Sequence, residues 1–272
     1  MARGAIFTAR GFMTITDCVE ASELGKQYGS KAAVENLTLK VPCGSILGLI
    51  GPNGAGKTTT ILLLAGLLRP SSGTVRVFGQ PVRVGQGEKR IGIVCPKLED
   101  LDYVTGRESI VLAARLHGLG KDVALNRTEA LLSAFDLDTS ADMLINSYSS
   151  GMRQKLRIAR ALIYTPDLLL LDEPYEALDP SAAYRLTSIL KRFAGQGGTV
   201  VLSSHDLGMV ERIADHYAIL NSGKLVEHAA MGTIHGSEQP EASELERRMW
   251  DLVGTPPALD LAWLYNNISA RG

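Results

Sequence analysis

Residues 51–60, "GPNGAGKTTT", set glycines, one lysine and a run of threonines in a single short stretch. Gly51, four residues, then Gly56, Lys57 and Thr58 is the spacing of a loop that wraps phosphate. Glycines let backbone N–H groups curl round phosphate oxygens without Cβ clashes, and a following helix adds the positive end of its dipole. In such a loop Lys57 binds the β/γ phosphates as a point charge and the Thr58 hydroxyl ligates Mg2+. A second chemical group ends the apolar run "DLLLLDEP" at 167–174, where Asp172 and Glu173 stand side by side. Successive strand side chains point to opposite faces, so Asp172 can hold the Mg2+ shell while Glu173 turns towards an attacking water. A third candidate, His205, follows "TVVLSS". Its imidazole could reach a γ-phosphate or the water beside it, and a purely structural histidine is the competing reading.

The elements that must carry these groups are legible around them. Residues 46–50 form a short apolar run suited to a buried strand, the glycine loop follows, and a helix starts at Lys57. The runs at 167–171 and 199–203 are also continuously apolar, as strands covered on both faces are. Residues 34–41 and 74–79 alternate apolar and polar, as antiparallel strands do. The stretch 217–228 reads similarly, with a hairpin signal at Asn221-Ser222-Gly223. Residues from about 98 to 165 turn helical. The expectation is an α/β P-loop NTPase fold: a parallel RecA-like sheet, an antiparallel β layer near the N-terminus and an inserted helical subdomain. Residues 1–20 are expected to be a loosely ordered arm, 21–232 the nucleotide-binding domain, and 233–272 an appendage whose "LERRMWDLV" packs back on the domain or meets a partner.

Composition excludes several classes. With 45% apolar and 21% charged residues in 272, the chain can bury a sizeable core without staples. A net charge of −1 gives no overall attraction to nucleic acid or an acidic membrane surface. Cys18, Cys43 and Cys95 have neither disulfide nor metal-ligand spacing, which fits a reducing cytosol. The longest apolar stretch, "ILLLAGLL" at 61–68, is far short of the about 20 residues that span a bilayer.

Taken in order, the phosphate loop, "YSSGMRQKLRIARAL" at 148–162, "LLLLDEP", "ALDP" at 177–180 and "SSHD" at 203–206 resemble the ATP-binding subunit of ABC transporters. The likeness covers roughly 21–232 and is nearest to stand-alone subunits of multidrug- and antibiotic-type export systems. It implies ATP and Mg2+ as ligands. It also implies that Gly51, Pro52, Asn53, Gly54, Ala55, Gly56, Lys57, Thr58 and Thr59 wrap the phosphates and that Tyr28 stacks on adenine. By the same likeness Asp172 is expected to be the Mg2+-associated acid, Glu173 the general base and His205 the γ-phosphate sensor. Ser149, Ser150 and Gly151 match the signature segment, which in this family reaches the γ-phosphate held by a second subunit, and Asp179 matches a loop that meets that subunit. The implied partners are a second ATPase subunit and a membrane permease on the cytoplasmic face, and no nucleic acid.

Three departures from the family pattern bear on activity. The signature reads Tyr-Ser-Ser-Gly-Met at 148–152 where Leu-Ser-Gly-Gly-Gln is commonest, and Tyr175 and Glu176 replace smaller residues in "PYEALDP". After "RIGIVCP" at 90–96 the family places a glutamine, and this chain has Lys97, whose ammonium cannot ligate a cation. Either Glu99 substitutes for that glutamine, or the protein is a slowly hydrolysing ATP-dependent clamp uncoupled from transport.

Overall fold

The computed structural model describes residues 16–84, 90–96, 101–233 and 244–254, together with the backbone of two short strands, β1 (Ala5–Thr8) and β2 (Gly11–Thr14). Lys97, Glu99 and most of the expected appendage lie outside the described residues. Strands β3 (Asp17–Tyr28), β4 (Lys31–Pro42), β6 (Ser72–Val77) and β7 (Gln80–Pro81) form an antiparallel sheet in the order β4-β3-β6-β7. Strands β5 (Ile46–Ile50), β8 (Ile91–Val94), β9 (Leu168–Leu171), β10 (Thr199–Ser203), β11 (His216–Asn221) and β12 (Lys224–Ala230) form the second sheet, in the order β12-β11-β5-β10-β9-β8. All its neighbours are parallel except the β11–β12 hairpin. The helices are α1 (Lys57–Leu64), α2 (Gly106–Leu116), α3 (Lys121–Ala134), α4 (Ser150–Leu162), α5 (Pro180–Gly195), α6 (Leu207–Ile213) and α7 (Glu244–Val253).

The mixed sheets, phosphate loop and helical insertion match the expected class. The hairpin expected at 217–228 is present as antiparallel β11 and β12, and it joins the parallel sheet because β11 pairs with β5 through Tyr217–Gly48 and Ala218–Leu49. One detail differs. The first strand of the domain begins at Asp17, within the stretch expected to be an arm, since Cys18, Val19 and Ala21 are buried against β4 and β6.

The two-residue period of the parallel strands sorts their side chains between two cores. Leu47 and Leu49, Leu168 and Leu170, Val201 and Ala218 face the antiparallel sheet and α1. Ile46 and Ile50, Leu169 and Leu171, Val200 and Leu202 face the helices. Both faces are covered, which explains why these strands read as unbroken apolar runs. Every polar group meant for chemistry is therefore expelled to the strand ends, where the loops begin.

Candidate nucleotide site

The site is built on the carboxyl ends of β5, β9 and β10. β5 ends at Ile50 and the loop 51–56 turns the chain into α1. Two glycines in it are required by close approach. At Gly51 (φ 146) a Cβ would stand 2.1 Å from Leu220 O, and at Gly56 (φ 105) it would stand 2.4 Å from Ala33 O. The β11–β12 turn braces the loop, with Gly223 N donating to Ala55 O at 3.0 Å and Gly223 O accepting from Glu35 N at 2.8 Å. Gly56 caps α1 without a side chain, so the first N–H groups of that helix keep their capacity for an anion.

Lys57, only 8% exposed, donates through Nζ to Gly51 O at 2.7 Å and Pro52 O at 3.3 Å. Burial pushes its pKa below the ordinary lysine value, and the negative charges of Glu173 and Asp172 oppose that shift. Two carbonyls solvate an ammonium without neutralising it. A phosphate bound in the loop would supply the missing charge.

Asp172 is buried, its N–H bonded to Val94 O at 2.8 Å. Ser203 Oγ donates to Asp172 Oδ1 at 2.7 Å and accepts from Glu173 N at 2.9 Å, so one hydroxyl orients both acidic residues. The Cys95 thiol donates to Asp172 Oδ2 at 3.7 Å. Strand pleating is not what separates the two carboxylates, since β9 ends at Leu171. Glu173 adopts φ 48, a left-handed conformation that costs a non-glycine residue about 1 kcal/mol or more. His205 takes up that carboxylate: its Nδ1 lies 2.9 Å and its backbone N 3.3 Å from Glu173 Oε2.

An implied Mg2+ fits these residues. The buried Asp172 carboxylate, already oriented by Ser203, and the Thr58 hydroxyl in the first turn of α1 are the hard oxygen donors that ion selects. β5 and β9 flank β10 in the sheet, so the two donors rise from the same edge.

The remaining expected residues lie on other elements. Tyr28 ends β3, half exposed, with Lys26 Nζ 5.3 Å from its ring centroid. Ser149 is the N-cap of α4 and its hydroxyl accepts from Met152 N at 3.2 Å, while Ser149 and Ser150 face solvent. At Gly151 a Cβ would approach Ala177 O to 2.7 Å. Asp179 caps α5 by accepting from Ala182 N at 2.9 Å, and that N–H, followed by the Lys155 ammonium, holds its carboxyl below the usual range. Ser203, Gln154 and the Gly223 brace were not singled out from the sequence. Their only signals were a serine in "SSHD", a polar residue on the buried face of α4 and a glycine after Asn-Ser.

Beside the site, β8, α2 and α4 leave a groove of about 240 Å3 whose lining joins Ile93, Val94, Leu112 and Leu116 with His117, Arg157 and Arg160. Leu112 and Leu116 are exposed along one face of α2, and Tyr103 beyond them is 89% exposed.

The sequence model of the ABC transporter family matches residues 34–176. Over 82% of its length the chain is 38% identical to the daunorubicin/doxorubicin resistance ATP-binding protein DrrA of Streptomyces peucetius, covering 68% of that protein. It is 36% identical to the bacitracin transport ATP-binding protein BcrA of Bacillus licheniformis, over 77% of this chain and 68% of that one. It is 37% identical to a Nod factor export ATP-binding protein I of Cupriavidus metallidurans, over 78% and 71% of the two chains. Among solved structures, an ATP-binding subunit of an ABC transporter superposes with TM-score 0.75 at 28% identity, covering 93% of this chain and 99% of that one. A dimeric ATP-binding cassette in a post-hydrolysis state shares the fold, with TM-score 0.72 at 23% identity over 80% of this chain and all of that one. With phosphate loop, acid pair and histidine assembled on one sheet edge, the chain belongs to the ABC transporter family, as an ATP-binding subunit that hydrolyses ATP.

Proposed function

We propose that two copies of this chain, or this chain and a homologous subunit, close on Mg2+ and ATP and thereby drive a separate membrane permease on the cytoplasmic face of the membrane. The observation that carries this reading is the division of labour between two helix starts: α1 begins at the phosphate loop, and α4 presents Ser149 and Ser150 to solvent. A second subunit's Ser149–Gly151 segment then completes the γ-phosphate site, so that ATP joins two half-sites.

Within each site the loop N–H groups and Lys57 hold the β/γ phosphates, Thr58 and Asp172 hold Mg2+, and Tyr28 stacks on adenine. Bound Mg2+ neutralises charge that develops on the phosphates. Glu173 takes a proton from the attacking water as its oxygen bonds to the γ-phosphorus and the bond to ADP breaks. In this structure His205 occupies the Glu173 carboxylate at 2.9 Å, and a γ-phosphate draws the imidazole away and frees the base.

Among the described residues no helix is long and apolar enough to cross a membrane, so a permease is a separate polypeptide or a separate segment. The groove edged by Leu112 and Leu116 offers that permease a partly apolar surface adjoining β8, whose Val94 O bonds Asp172 N. The export direction follows the Nod factor export relatives.

Gel filtration of Glu173→Gln with ATP and Mg2+ tests the reading. A nucleotide-dependent shift from monomer to dimer supports it, and an unchanged monomer peak under saturating ATP contradicts it.

A further inference from the structure

The Glu173–Asp179 segment touches one face of α4 at three points. Gly151 stands against Ala177 O, where an added Cβ would come to 2.7 Å. Gln154 Nε2 donates to Glu173 O at 3.3 Å and to Pro174 O at 3.1 Å. Lys155 Nζ lies 3.5 Å from Asp179 Oδ2. Residues 151, 154 and 155 share a helix face by their three- and four-residue spacing. Gln154 is the buried member, only 4% exposed. Both its acceptors are carbonyls, so the amide nitrogen must face them.

The Glu173 conformation needs such support. Its φ of 48 is foreign to a non-glycine residue, and Ala177 four residues on has φ 62. Ser203 holds the Glu173 N–H and Gln154 holds the Glu173 carbonyl. The peptide units on either side of this residue are thus fixed from β10 and from α4 respectively.

We propose that Gln154 is a positioning residue for hydrolysis: by clamping the Glu173 and Pro174 carbonyls it holds the general base in its left-handed conformation and links that conformation to the helix that starts at the signature segment. Movement of α4 when Ser149 and Ser150 meet a second subunit is then felt at Glu173 without any contact between the serines and the base. The inference rests on Glu173 being the base, as proposed above.

A double-mutant cycle on the full-length chain tests it, with Gln154→Met, which keeps the volume and removes the donors, combined with Glu173→Gln. Gln154→Met is expected to lower kcat by about tenfold or more while the equilibrium affinity for a fluorescent ATP analogue stays within about twofold. In the Glu173→Gln background, where no base remains to be positioned, the same substitution is expected to leave single-turnover hydrolysis unchanged. The inference is overturned if Gln154→Met turns over ATP like the wild type, if its loss is additive with Glu173→Gln, or if affinity and melting temperature fall in step with turnover. Should Gln154→Met not fold, Gln154→Asn, which withdraws the amide by one methylene, gives the same cycle. Wild-type turnover by Glu173→Gln alone would refute the base assignment itself. An inactive Glu173→Gln beside a fully active Gln154→Met would refute only the role of Gln154.

Discussion

The two helix starts that flank the chemistry, α1 and α4, are capped in opposite ways. α1 begins after Gly56, which has no side chain to offer, and its lysine turns back on the loop carbonyls. α4 begins after Ser149, whose hydroxyl already satisfies Met152 N. An uncapped helix start with a buried ammonium suits highly charged phosphate, whereas a self-capped one has already satisfied one of its orphan N–H groups, its capping hydroxyl keeping only the proton to donate. On the reading proposed above, the difference teaches that α1 can act in a lone subunit, whereas α4 acts on a ligand that another subunit brings.

The largest effect that could break this comparison belongs to Lys57. Lys57→Ala is expected to abolish measurable ATPase activity and weaken nucleotide binding by about 100-fold, the scale of one charge-assisted contact to phosphate lost from a desolvated site. Ser149→Ala, by contrast, is expected to leave binding of ATP to the monomer within about twofold and to weaken the ATP-dependent dimer by about tenfold. Equal losses of monomer affinity in the two variants, measured by fluorescent nucleotide titration, would erase the distinction.

A smaller effect sharpens it within the receptor half. Ser203→Ala removes the donor to the buried Asp172 Oδ1 and the acceptor for Glu173 N. About a tenfold rise in the Mg2+ concentration for half-maximal activity is expected, restored by Ser203→Thr, since a hydrogen bond to a charged group contributes about 1.5–3 kcal/mol. Unchanged Mg2+ dependence would remove Ser203 from the site.

How much of this was legible in the sequence depended on whether a residue acts through its immediate neighbours or across the fold. Gly51–Thr58, Asp172, Glu173 and His205 sit on short strand-to-loop junctions whose spacing records their local geometry. β3 was missed because its register shifts at Asp17/Val19 and again near Leu24 break the two-residue alternation, and Glu23 has φ 48. The left-handed turn at Glu173 was invisible for a related reason: nothing in "LDEP" signals a positive φ at a glutamate. Ser203 acts on residues 30 and 31 positions away and Gln154 on residues 19 and 20 positions away, and no periodicity reports such pairs.

The smallest effect concerns α7, which lies outside both halves. Its Arg248 guanidinium bonds both oxygens of Glu227 on β12, at 2.8 and 2.9 Å, and Leu245 and Met249 are buried beneath it. The Arg248 hydrogen bond first of all lowers the Glu227 pKa below its ordinary value of 4.5. A carboxylate whose pKa is depressed on folding adds stability that is complete above the ordinary value and is lost as pH falls through the folded one. With half of Arg248 exposed, solvent screening keeps the contribution small. Thermal melts of wild type and Glu227→Gln should differ slightly near neutral pH and converge as pH falls through the depressed folded pKa; a difference that persists once the carboxylate is protonated would refute the pairing as its source.

The central claim, that the phosphate loop of one subunit meets the signature segment of another, is tested most directly by a cross-link. Asn53 and Ser150 are both exposed, and cysteines placed at these two positions in a Glu173→Gln, Cys43→Ser background can be oxidised with and without ATP and Mg2+. The account predicts a disulfide-linked dimer that forms when the two cysteines reside on different subunits and nucleotide is present. A cross-link that ignores nucleotide, or none under saturating ATP in a protein that binds it, would contradict the account.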